Sequence, residues 1–341
     1  MPDRHGPPRP PRPHRSDAGA RALPGARNGT VLTVGTFDGV HRGHGLVLER
    51  TAARARQSGL ASAALTFDPH PLDVVNPSAA PPLLTLWDEK LEALAQTPID
   101  YVAVVRFTTE LASYTAEEFV VRVLLERFGL RELLIGHDHG FGRGRAGDVE
   151  SLRMIGRRLG FPVAVVPAVL GSDGSPISST AIRRAIAHGD LARASDGLGR
   201  RYAFAGRVAS GEGRGRLLGF PTLNLELASR RKLLPPHGVY AVHVQVRDAA
   251  FGGMMNLGPR PTFGDERIML EVHLFEAMGD WYGQTVRVEF VSRLRDTMKF
   301  AGPAELVAQL KLDAEHARAA LTAIALPANL KGSGTNTSSL L

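Results

Sequence analysis

The sequence predicts an α/β protein, with a doubly wound parallel sheet in its N-terminal domain and an antiparallel β-barrel plus a C-terminal helix in its second domain. Three observations predict this fold. The 341 residues, 43% of them hydrophobic, suffice for about two packed domains. Up to about residue 190, short apolar segments alternate with amphipathic helical segments, which is typical of a parallel sheet covered on both faces. Beyond residue 200, strand-like segments follow one another across Gly, Pro and Asp turns.

In the N-terminal domain, mainly apolar segments predict the strands of the parallel sheet, at residues 31–35, 61–67, 101–107, 132–136 and 162–167. Amphipathic periodicity predicts the helices that follow these strands, at residues 44–58, 87–96, 115–129, 149–159 and 179–188. Ligands of such sheets bind at the carboxyl ends of the strands. We therefore expect functional residues in the loops that leave those ends.

In the second domain, alternating polar and apolar residues predict strands at residues 201–208, 222–227, 238–247, 250–258, 268–276 and 284–293. Pro303 then opens an amphipathic helix that is well placed to cap the barrel. These boundaries divide the chain into domains at residues 29–190 and 201–326, with a linker at residues 191–200.

The two ends of the chain differ in composition from its middle. Residues 1–28 are rich in Pro, Gly and Arg and cannot bury enough apolar surface to offset the entropy of ordering, so we expect a disordered arm. Residues 327–341 are expected to be a flexible tail. The arm also carries much of the charge: of the net +7 (41 basic minus 34 acidic residues), residues 1–30 supply six Arg and two Asp, which leaves +3 for the rest.

Composition also excludes several classes of protein. Without cysteine there is no disulfide framework, Cys-based zinc site or thiol nucleophile. No apolar run approaches the roughly 18 residues of a membrane span, and the N-terminus lacks the apolar region of a secretory signal, so we expect a cytoplasmic protein with no membrane partner. Aromatic residues make up 6% and do not interleave with basic residues on the strands, which argues against a nucleic-acid-binding barrel.

The segment TFDGVHRGH (36–44) follows the first predicted strand of the sheet. It brings His41 and His44 to a helix N-terminus, where free N–H groups and the positive end of the dipole favour phosphate. Gly35, Gly39 and Gly43 would let the backbone approach a ligand closely. The alternative is a pair of surface or metal-site histidines, and the position at the end of the first strand favours phosphate binding.

The segment ISSTAIRR (177–184) begins the last helix of the same domain. Ser178, Ser179 and Thr180 supply hydroxyl groups, and Arg183 lies at the spacing that would aim a guanidinium at the same anion. An ordinary Ser/Thr helix cap is the alternative. Two phosphate-binding helix ends in one domain suggest a nucleoside triphosphate, and the absence of a GxxxxGK[ST] pattern excludes a P-loop enzyme.

In the second domain, the Gly-rich loop GEGRGRLLGFPTLN (211–224) leads into a strand. Thr222 and Asn224 lie two residues apart on that strand, so both side chains share one face, and their neutral oxygens suit Mg²⁺ bound chiefly by phosphates and water. Glu271 lies amid apolar residues of another strand, where a carboxylate is costly. It could be a general base for a substrate hydroxyl or form an ion pair with a barrel arginine.

These motifs resemble the bacterial bifunctional riboflavin kinase/FAD synthetase family. GTFDGVHRGH, FDPHP (67–71), FGRGRAGD (141–148) and ISSTAIR resemble its adenylyltransferase half, whose His pair and Ser/Thr/Arg helix bind ATP phosphates. The resemblance implies ATP contacts and catalysis by His41, His44 and Arg183. Further implied ATP-binding residues are Gly35, Phe37, Asp38, Gly39, Gly43, Ser178, Ser179 and Thr180. Asp38 or Asp68 could also serve a metal shell, although Asp is a common turn residue in FDG and FDP.

GxGRGRxLGFPTxN, NLGPRPTFG (256–264), LEVHL and RLRDTMKF (293–300) resemble the riboflavin kinase half of the family, in the same order and at compatible spacings. The resemblance implies that Thr222 and Asn224 hold the Mg-nucleotide, with Gly213 and Gly215 in its loop, and that Glu271 deprotonates the ribityl 5′-hydroxyl. Leu223 replaces the usual Ala of PTAN and points to the opposite face of the strand.

The resemblance also implies flavin contacts by Asp68, Asp138, His139, Phe141 and Arg295, the last on a flap. In GHDHGFG (136–142), His139 stands where Phe is common; it could stack on the flavin, hydrogen-bond to it or have a neutral structural role.

The implied enzyme phosphorylates riboflavin to FMN and adenylylates FMN to FAD with release of pyrophosphate, using Mg²⁺ and ATP in both steps. Its partners are then riboflavin, FMN and ATP, and the sequence leaves the oligomeric state open. There are two alternatives: a nucleotidyltransferase for another small phosphorylated substrate, against which the PTLN barrel argues, and a basic nucleic-acid-binding barrel protein.

Overall fold

The computed structural model describes residues 12–16, 23, 28–138, 140–145, 147–211, 215, 218–259, 268–277 and 279–323. The chain forms two compact units, one comprising residues 1–181 and 197–199, the other residues 182–196 and 200–341.

The first unit contains a six-stranded parallel sheet. In chain order its strands are β1 (Arg12–Ser16), β2 (Thr30–Val34), β3 (Ala61–Asp68), β4 (Tyr101–Arg106), β5 (Leu130–Gly136) and β6 (Val163–Val166). Their spatial order is β1-β4-β3-β2-β5-β6, and every neighbouring pair is parallel. The chain leaves β2 toward β3 on one side and returns to β5 on the other. The carboxyl ends of β2 and β5 therefore form the switch point where such sheets bind ligands.

The helices of the first half lie on both faces of this sheet, as predicted. They are α1 (Arg42–Ser58), α2 (Pro71–Val75), α3 (Trp87–Ala95), α4 (Thr109–Ser113), α5 (Ala116–Phe119), which continues as a π-helical turn at Val120–Leu125, and α6 (Val149–Leu159). One core joins Leu32 and Leu65 to Phe119, and a separate core joins Leu48 and Ala64 to Leu94.

The N-terminal arm, predicted to be disordered, contains a strand and a buried residue. Arg12–Ser16, within the arm expected to be disordered, pair in parallel with Tyr101–Val105 of β4. Leu23 is 2% exposed and belongs to a sheet core. An edge strand is held by backbone hydrogen bonds, which do not require apolar side chains, so composition alone missed it.

The predicted linker, residues 191–200, is instead mostly a helix. After α7 (Ser179–Ala187), the chain forms α8 (Leu191–Leu198). Leu191, Ala194 and Leu198 are buried at helical spacing, so this segment carries an apolar stripe that stabilises it.

The second unit is a closed antiparallel barrel with the strand order β10-β11-β8-β7-β12-β9. Its strands are β7 (Ala203–Ala209), β8 (Leu223–Leu227), β9 (Gly238–Val246), β10 (Ala249–Pro259), β11 (Ile268–Leu274) and β12 (Thr285–Arg295). The buried ring of Phe290 contacts the buried rings of Phe204 and Tyr240. Helix α9 (Pro303–Ala323) packs its Ala317 into a cluster with Ala241 and Met254. The fold class predicted from the sequence is confirmed in both halves.

No helix in the part of the chain that the structure describes is both long enough and apolar enough to cross a membrane.

Candidate active sites

The histidine loop, residues 35–44, runs from the carboxyl end of β2 into the first turn of α1. Its backbone takes positive φ at Phe37 (48°), Gly39 (83°) and Val40 (39°), a region that non-glycine residues rarely adopt. A Cβ on Gly39 would lie 2.8 Å from Leu84 Cδ1, and one on Gly43 would lie 3.1 Å from the His41 ring. The tight backbone explains why glycine occupies both positions.

His41 is the N-cap of α1, and its Nδ1 accepts a hydrogen bond from His44 N at 3.3 Å. A neutral ring that accepts at Nδ1 carries its proton on Nε2, which makes that nitrogen a hydrogen-bond donor. The rings of His41 and His44 stack, with centroids 3.6 Å apart and planes 17° apart. The structure thus brings the two imidazoles together at the N-terminal end of α1.

Two residues predicted to bind ATP have buried side chains that support the loop, and their contact with ATP stays a prediction. The Asp38 carboxylate, 1% exposed, accepts hydrogen bonds from Leu84 N at 3.0 Å, Thr85 N at 2.9 Å and Thr85 Oγ1 at 3.1 Å. Phe37 is 2% exposed and contacts His44 edge-on at 5.2 Å between centroids. Sequence reasoning placed them at the ligand because they belong to the motif; their side chains support the loop from beneath. A Cβ on Gly35 would lie 3.2 Å from the Phe37 ring.

The start of α7 meets the histidine loop, as the sequence predicts. Ser179 Oγ donates to the Asp38 carbonyl at 3.0 Å, while Ser178 Oγ accepts from Ala181 N at 3.2 Å as a helix cap. Thr180 is exposed, and Arg183 follows one turn later on the same helix, half-buried. Two helix N-termini therefore lie side by side, a favourable arrangement for a polyphosphate.

The residues predicted for the flavin end lie along the same edge of the sheet or outside the described chain. Asp68 is the last residue of β3, and Asp138 is exposed just beyond β5. Phe141 is half-buried and packs against Phe119, with centroids 5.0 Å apart. His139 lies outside the described residues, so its role stays a prediction.

Lys90 of α3 was missed by sequence reasoning. It is 7% exposed, and its Nζ donates to the Thr36 carbonyl of the histidine loop's entry at 3.2 Å. Burial lowers the pKa of Lys90, while the carboxylates of Asp38 and Asp68 act in the opposite direction. The sequence does indicate that Lys90 is buried. It lies three residues after Trp87 and four before Leu94, and so shares their apolar helix face.

In the barrel, the strand register aligns the predicted kinase residues. Glu271 of β11 pairs with Asn224 of β8 on one side and with Asn256 of β10 on the other. Directly paired residues present their side chains on the same face, with Cβ atoms about 5 Å apart. We call these three residues the barrel row. Thr222 lies two residues before Asn224, at the edge of the row.

The Gly-rich loop lies close to this row. A Cβ on Gly211 would lie 1.9 Å from Asn224 Nδ2, and one on Gly215 would lie 2.3 Å from the Phe220 carbonyl and 3.2 Å from Thr222 Oγ1. The loop can therefore approach the row only because these positions lack side chains. Gly213 lies outside the described residues.

His273 was also missed by sequence reasoning. It lies two residues after Glu271, and its Nδ1 is 2.8 Å from the Pro221 carbonyl, so it holds the start of the PTLN segment. Its ring contacts Phe220 edge-on at 5.2 Å between centroids. The sequence does indicate that His273 lies near the site, because it follows Glu271 by two residues in LEVHL and so shares its strand face.

That Arg295 lies on a flap over the flavin stays a prediction, and the structure shows which partner its side chain has within the barrel unit. Arg295 ends β12, and its guanidinium binds both oxygens of Asp313 on α9, at 2.8 and 2.6 Å. Asp313 is 1% exposed. A bidentate pair with a buried carboxylate holds this arginine between strand and helix, which sequence spacing could not reveal because Asp313 lies 18 residues away.

Comparison with known proteins identifies both halves. Residues 23–181 match the FAD synthetase family model, and residues 198–321 match the riboflavin kinase model. A bifunctional riboflavin kinase/FMN adenylyltransferase of Escherichia coli K12 is 39% identical over 86% of this chain and 93% of its own length. Proteins of the same description from Haemophilus influenzae and Listeria monocytogenes are 38% and 36% identical, each over 85% of this chain and over 94% and 91% of their own lengths.

A crystal structure from Streptococcus pneumoniae, described as a macrolide-efflux protein, is 30% identical with a TM-score of 0.79, over 90% of this chain and 98% of that one. The resemblance inferred from the motifs is confirmed by the full-length relatives. On this evidence the chain belongs to the bifunctional riboflavin kinase/FMN adenylyltransferase family.

Proposed function

We propose that the first unit adenylylates FMN at the β2/β5 edge of its sheet and that the barrel phosphorylates riboflavin at the barrel row. The observation that carries this assignment is the separation of two phosphate-binding constellations. The histidine loop and the α7 N-terminus lie together in one unit, and Thr222, Asn224 and Glu271 lie together in the other.

In the adenylyl transfer, a phosphate oxygen of FMN attacks the α-phosphorus of ATP, the bond from that phosphorus to the bridging oxygen breaks, and pyrophosphate leaves. No covalent enzyme intermediate is required. The chain's task is to orient the two substrates and to neutralise the charge that develops on the phosphoryl oxygens. The Nε2–H of His41, the His44 ring and the N–H groups at the start of α1 are donors suited to this task.

The ATP phosphates would then extend toward the first turn of α7, where Thr180 offers an exposed hydroxyl. FMN would approach from the side of Asp68 and Asp138, which follow the strands on either side of β2. Asp138 is exposed, and its carboxylate can accept hydrogen bonds from a flavin. Whether His139 touches the flavin remains part of the proposal.

In the kinase reaction, Glu271 takes the proton of the ribityl 5′-hydroxyl, the oxygen attacks the γ-phosphorus of ATP, and ADP leaves. The row gives Glu271 two amide neighbours, Asn224 and Asn256, and these can orient its carboxylate by hydrogen bonding. A carboxylate on the outward face between two amides is accessible to a hydroxyl, unlike the buried Leu270 and Val272 beside it.

Magnesium belongs to this proposal. Thr222 and Asn224 present neutral oxygens beside a loop that comes close enough to need glycine at 211 and 215, which fits a cation held mainly by nucleotide phosphates. Among the described residues, no group of three or more His, Asp or Glu side chains forms a ligand cluster of its own. When bound, Mg²⁺ would neutralise charge on the transferred phosphoryl group.

One assay tests the assignment. The protein is incubated with riboflavin, Mg²⁺ and ATP, or with FMN, Mg²⁺ and ATP, and the flavins are separated by chromatography. Wild type should convert riboflavin to FMN and FAD and should convert supplied FMN to FAD. A protein that makes FMN but no FAD, or that needs no Mg²⁺, would contradict the proposal. The cytoplasmic location stays a prediction from sequence.

A further inference from the structure

Lys90 is a buried cation beneath the histidine loop that the chemistry proposed above does not use. Its side chain lies on the apolar face of α3, over the Trp87 ring at 5.1 Å from the centroid. An apolar side chain of similar length would be cheaper to bury there than an ammonium group. The position therefore requires an explanation in terms of what the charge and the donor do.

The loop that Lys90 contacts needs external support. Phe37 and Val40 are non-glycine residues with positive φ, and each such residue costs on the order of 1–3 kcal/mol unless its surroundings hold it. Asp38 is bound by the backbone of Leu84 and Thr85, which fixes the middle of the loop. Lys90 binds the Thr36 carbonyl, which fixes its beginning.

The Thr36 carbonyl also accepts a hydrogen bond from Thr66 Oγ1 at 3.2 Å. Removing the Lys90 ammonium would therefore leave that carbonyl with a partner, and the sheet beneath it would keep its pairing. The expected consequence is a looser loop rather than an unfolded domain. Looseness matters here because a misplacement of about 1 Å can lower a rate by about 10²-fold.

Charge balance gives Lys90 a second task. Asp38 lies buried under the loop and Asp68 at the end of β3, and both carboxylates would repel the phosphates of ATP. The ammonium of Lys90 lies close enough to both carboxylates to interact with them. Its positive charge offsets theirs at the place where an anion must bind.

We propose that Lys90 is a positioning residue for the adenylyl transfer: its ammonium group holds the Thr36 carbonyl and thereby keeps His41 and the N-terminus of α1 in place for the ATP phosphates. This inference rests on the proposed assignment of that reaction to the histidine loop.

The test compares Lys90→Met and Lys90→Arg with wild type in the full-length protein. With supplied FMN, Lys90→Met should lower kcat for FAD formation by roughly 10- to 100-fold and raise KM for ATP, because the loop is loosened and the charge balance lost. Lys90→Arg keeps a cation and a donor and should restore most of the rate. Phosphorylation of riboflavin by the same samples should change less than about twofold, since that site lies in the other unit.

Two controls separate the possible failures. Lys232→Met removes another buried lysine, whose Nζ lies over the Tyr202 ring in the barrel unit, and should leave FAD formation from FMN unchanged. His44→Ala tests the site itself: if it leaves FAD formation intact, the assignment of the reaction to this loop is wrong. If His44→Ala abolishes FAD formation while Lys90→Met stays within twofold of wild type, the proposal for Lys90 alone is overturned. Equal losses of both activities in Lys90→Met would also overturn it.

A pH profile decides the matter even if Lys90→Met does not fold. Burial lowers the pKa of Lys90, and the charged groups that act on it are Asp38 from the loop and Asp68 from β3. Above that pKa the ammonium is lost, so FAD formation by wild type should fall on the alkaline side at a lower pH than in Lys90→Arg, whose guanidinium keeps its proton. Coinciding alkaline limbs would contradict the proposal.

Discussion

The histidine loop and the barrel row differ in how far apart in the sequence their parts lie. The loop takes its two imidazoles and its helix end from ten consecutive residues, 35–44, and its backbone adopts positive φ at Phe37 and Val40. The row takes its three side chains from three strands, and ordinary antiparallel register brings them together.

This difference determines where each site is vulnerable. A strained loop depends on side chains beneath it, such as Asp38 and Lys90, that need not touch any substrate. A row on paired strands is held by the ladder itself and depends instead on the approach of the loop that carries Gly211 and Gly215. Substitutions should therefore affect the two reactions separately and through different kinds of contact.

The largest expected effect comes from replacing Glu271, the proposed general base in the barrel row. Glu271→Gln keeps the shape of the side chain but removes the proton acceptor, so riboflavin phosphorylation should fall by roughly 10²- to 10⁴-fold. Conversion of supplied FMN to FAD should persist. Initial rates of both steps by flavin chromatography measure the split. Glu276→Gln, at an exposed carboxylate paired with Arg318, is the matched control and should behave as wild type in both steps. Loss of FAD formation in a folded Glu271→Gln protein would contradict two separate sites.

The reciprocal change is His44→Ala. It removes a ring stacked on His41, so FAD formation from FMN should fall on the order of 10²-fold or more while riboflavin phosphorylation survives. Steady-state kinetics with FMN and ATP measure the reduction in the rate of FAD formation. His188→Ala, at an exposed histidine near the end of α7, should leave both steps intact. A kinase rate that fell in step with the adenylyltransferase rate would show that the sites are not independent.

A smaller effect is expected where the Gly-rich loop meets the row. The Cβ of Gly211→Ala would lie 1.9 Å from Asn224 Nδ2, so either the loop or the amide must move. We expect KM for ATP in the kinase step to rise by about tenfold, since ground-state contacts with the nucleotide are disturbed. Gly302→Ala adds a Cβ that meets nothing within 4 Å and is the control in the same unit. An unchanged kinase step in Gly211→Ala would mean that the loop does not close on Asn224.

Sequence patterns predicted most of the fold because its strands and helices carry strong apolar periodicity. The exceptions have physical reasons. Arg12–Ser16 pair through their backbone alone, and α8 is short enough for its Leu191, Ala194 and Leu198 stripe to pass for a linker.

For the sites, the sequence supplied the residues of the motifs but not what each side chain faces. Asp38 and Phe37 belong to the phosphate motif, yet both are buried under it. Arg295 belongs to the kinase motif, yet Asp313 holds it. Lys90 lies outside the quoted motifs, and His273 lies within LEVHL but was given no role there. A supporting role depends on contacts across the fold: Lys90 lies 54 residues from Thr36, and His273 lies 52 from Pro221.

The smallest expected effect concerns stability rather than activity, at His243 of β9. This ring is 5% exposed, and neither of its nitrogens has a hydrogen-bond partner among the described residues. Burial lowers the pKa of His243, and Arg201 adds to the lowering, while Glu289 opposes it. The unfolded chain therefore binds a proton more readily than the folded one. The stability that the neutral ring contributes is fully present above the ordinary pKa of about 6.5 and is lost as pH falls below it.

Wild type should show a decline in Tm between pH 7.5 and 5.5 that is shallower in His243→Leu, as measured by thermal unfolding. His237→Leu, at an exposed histidine of the same unit, should keep the wild-type slope. Parallel slopes in all three proteins would mean that His243 takes up its proton as easily in the barrel as in the unfolded chain.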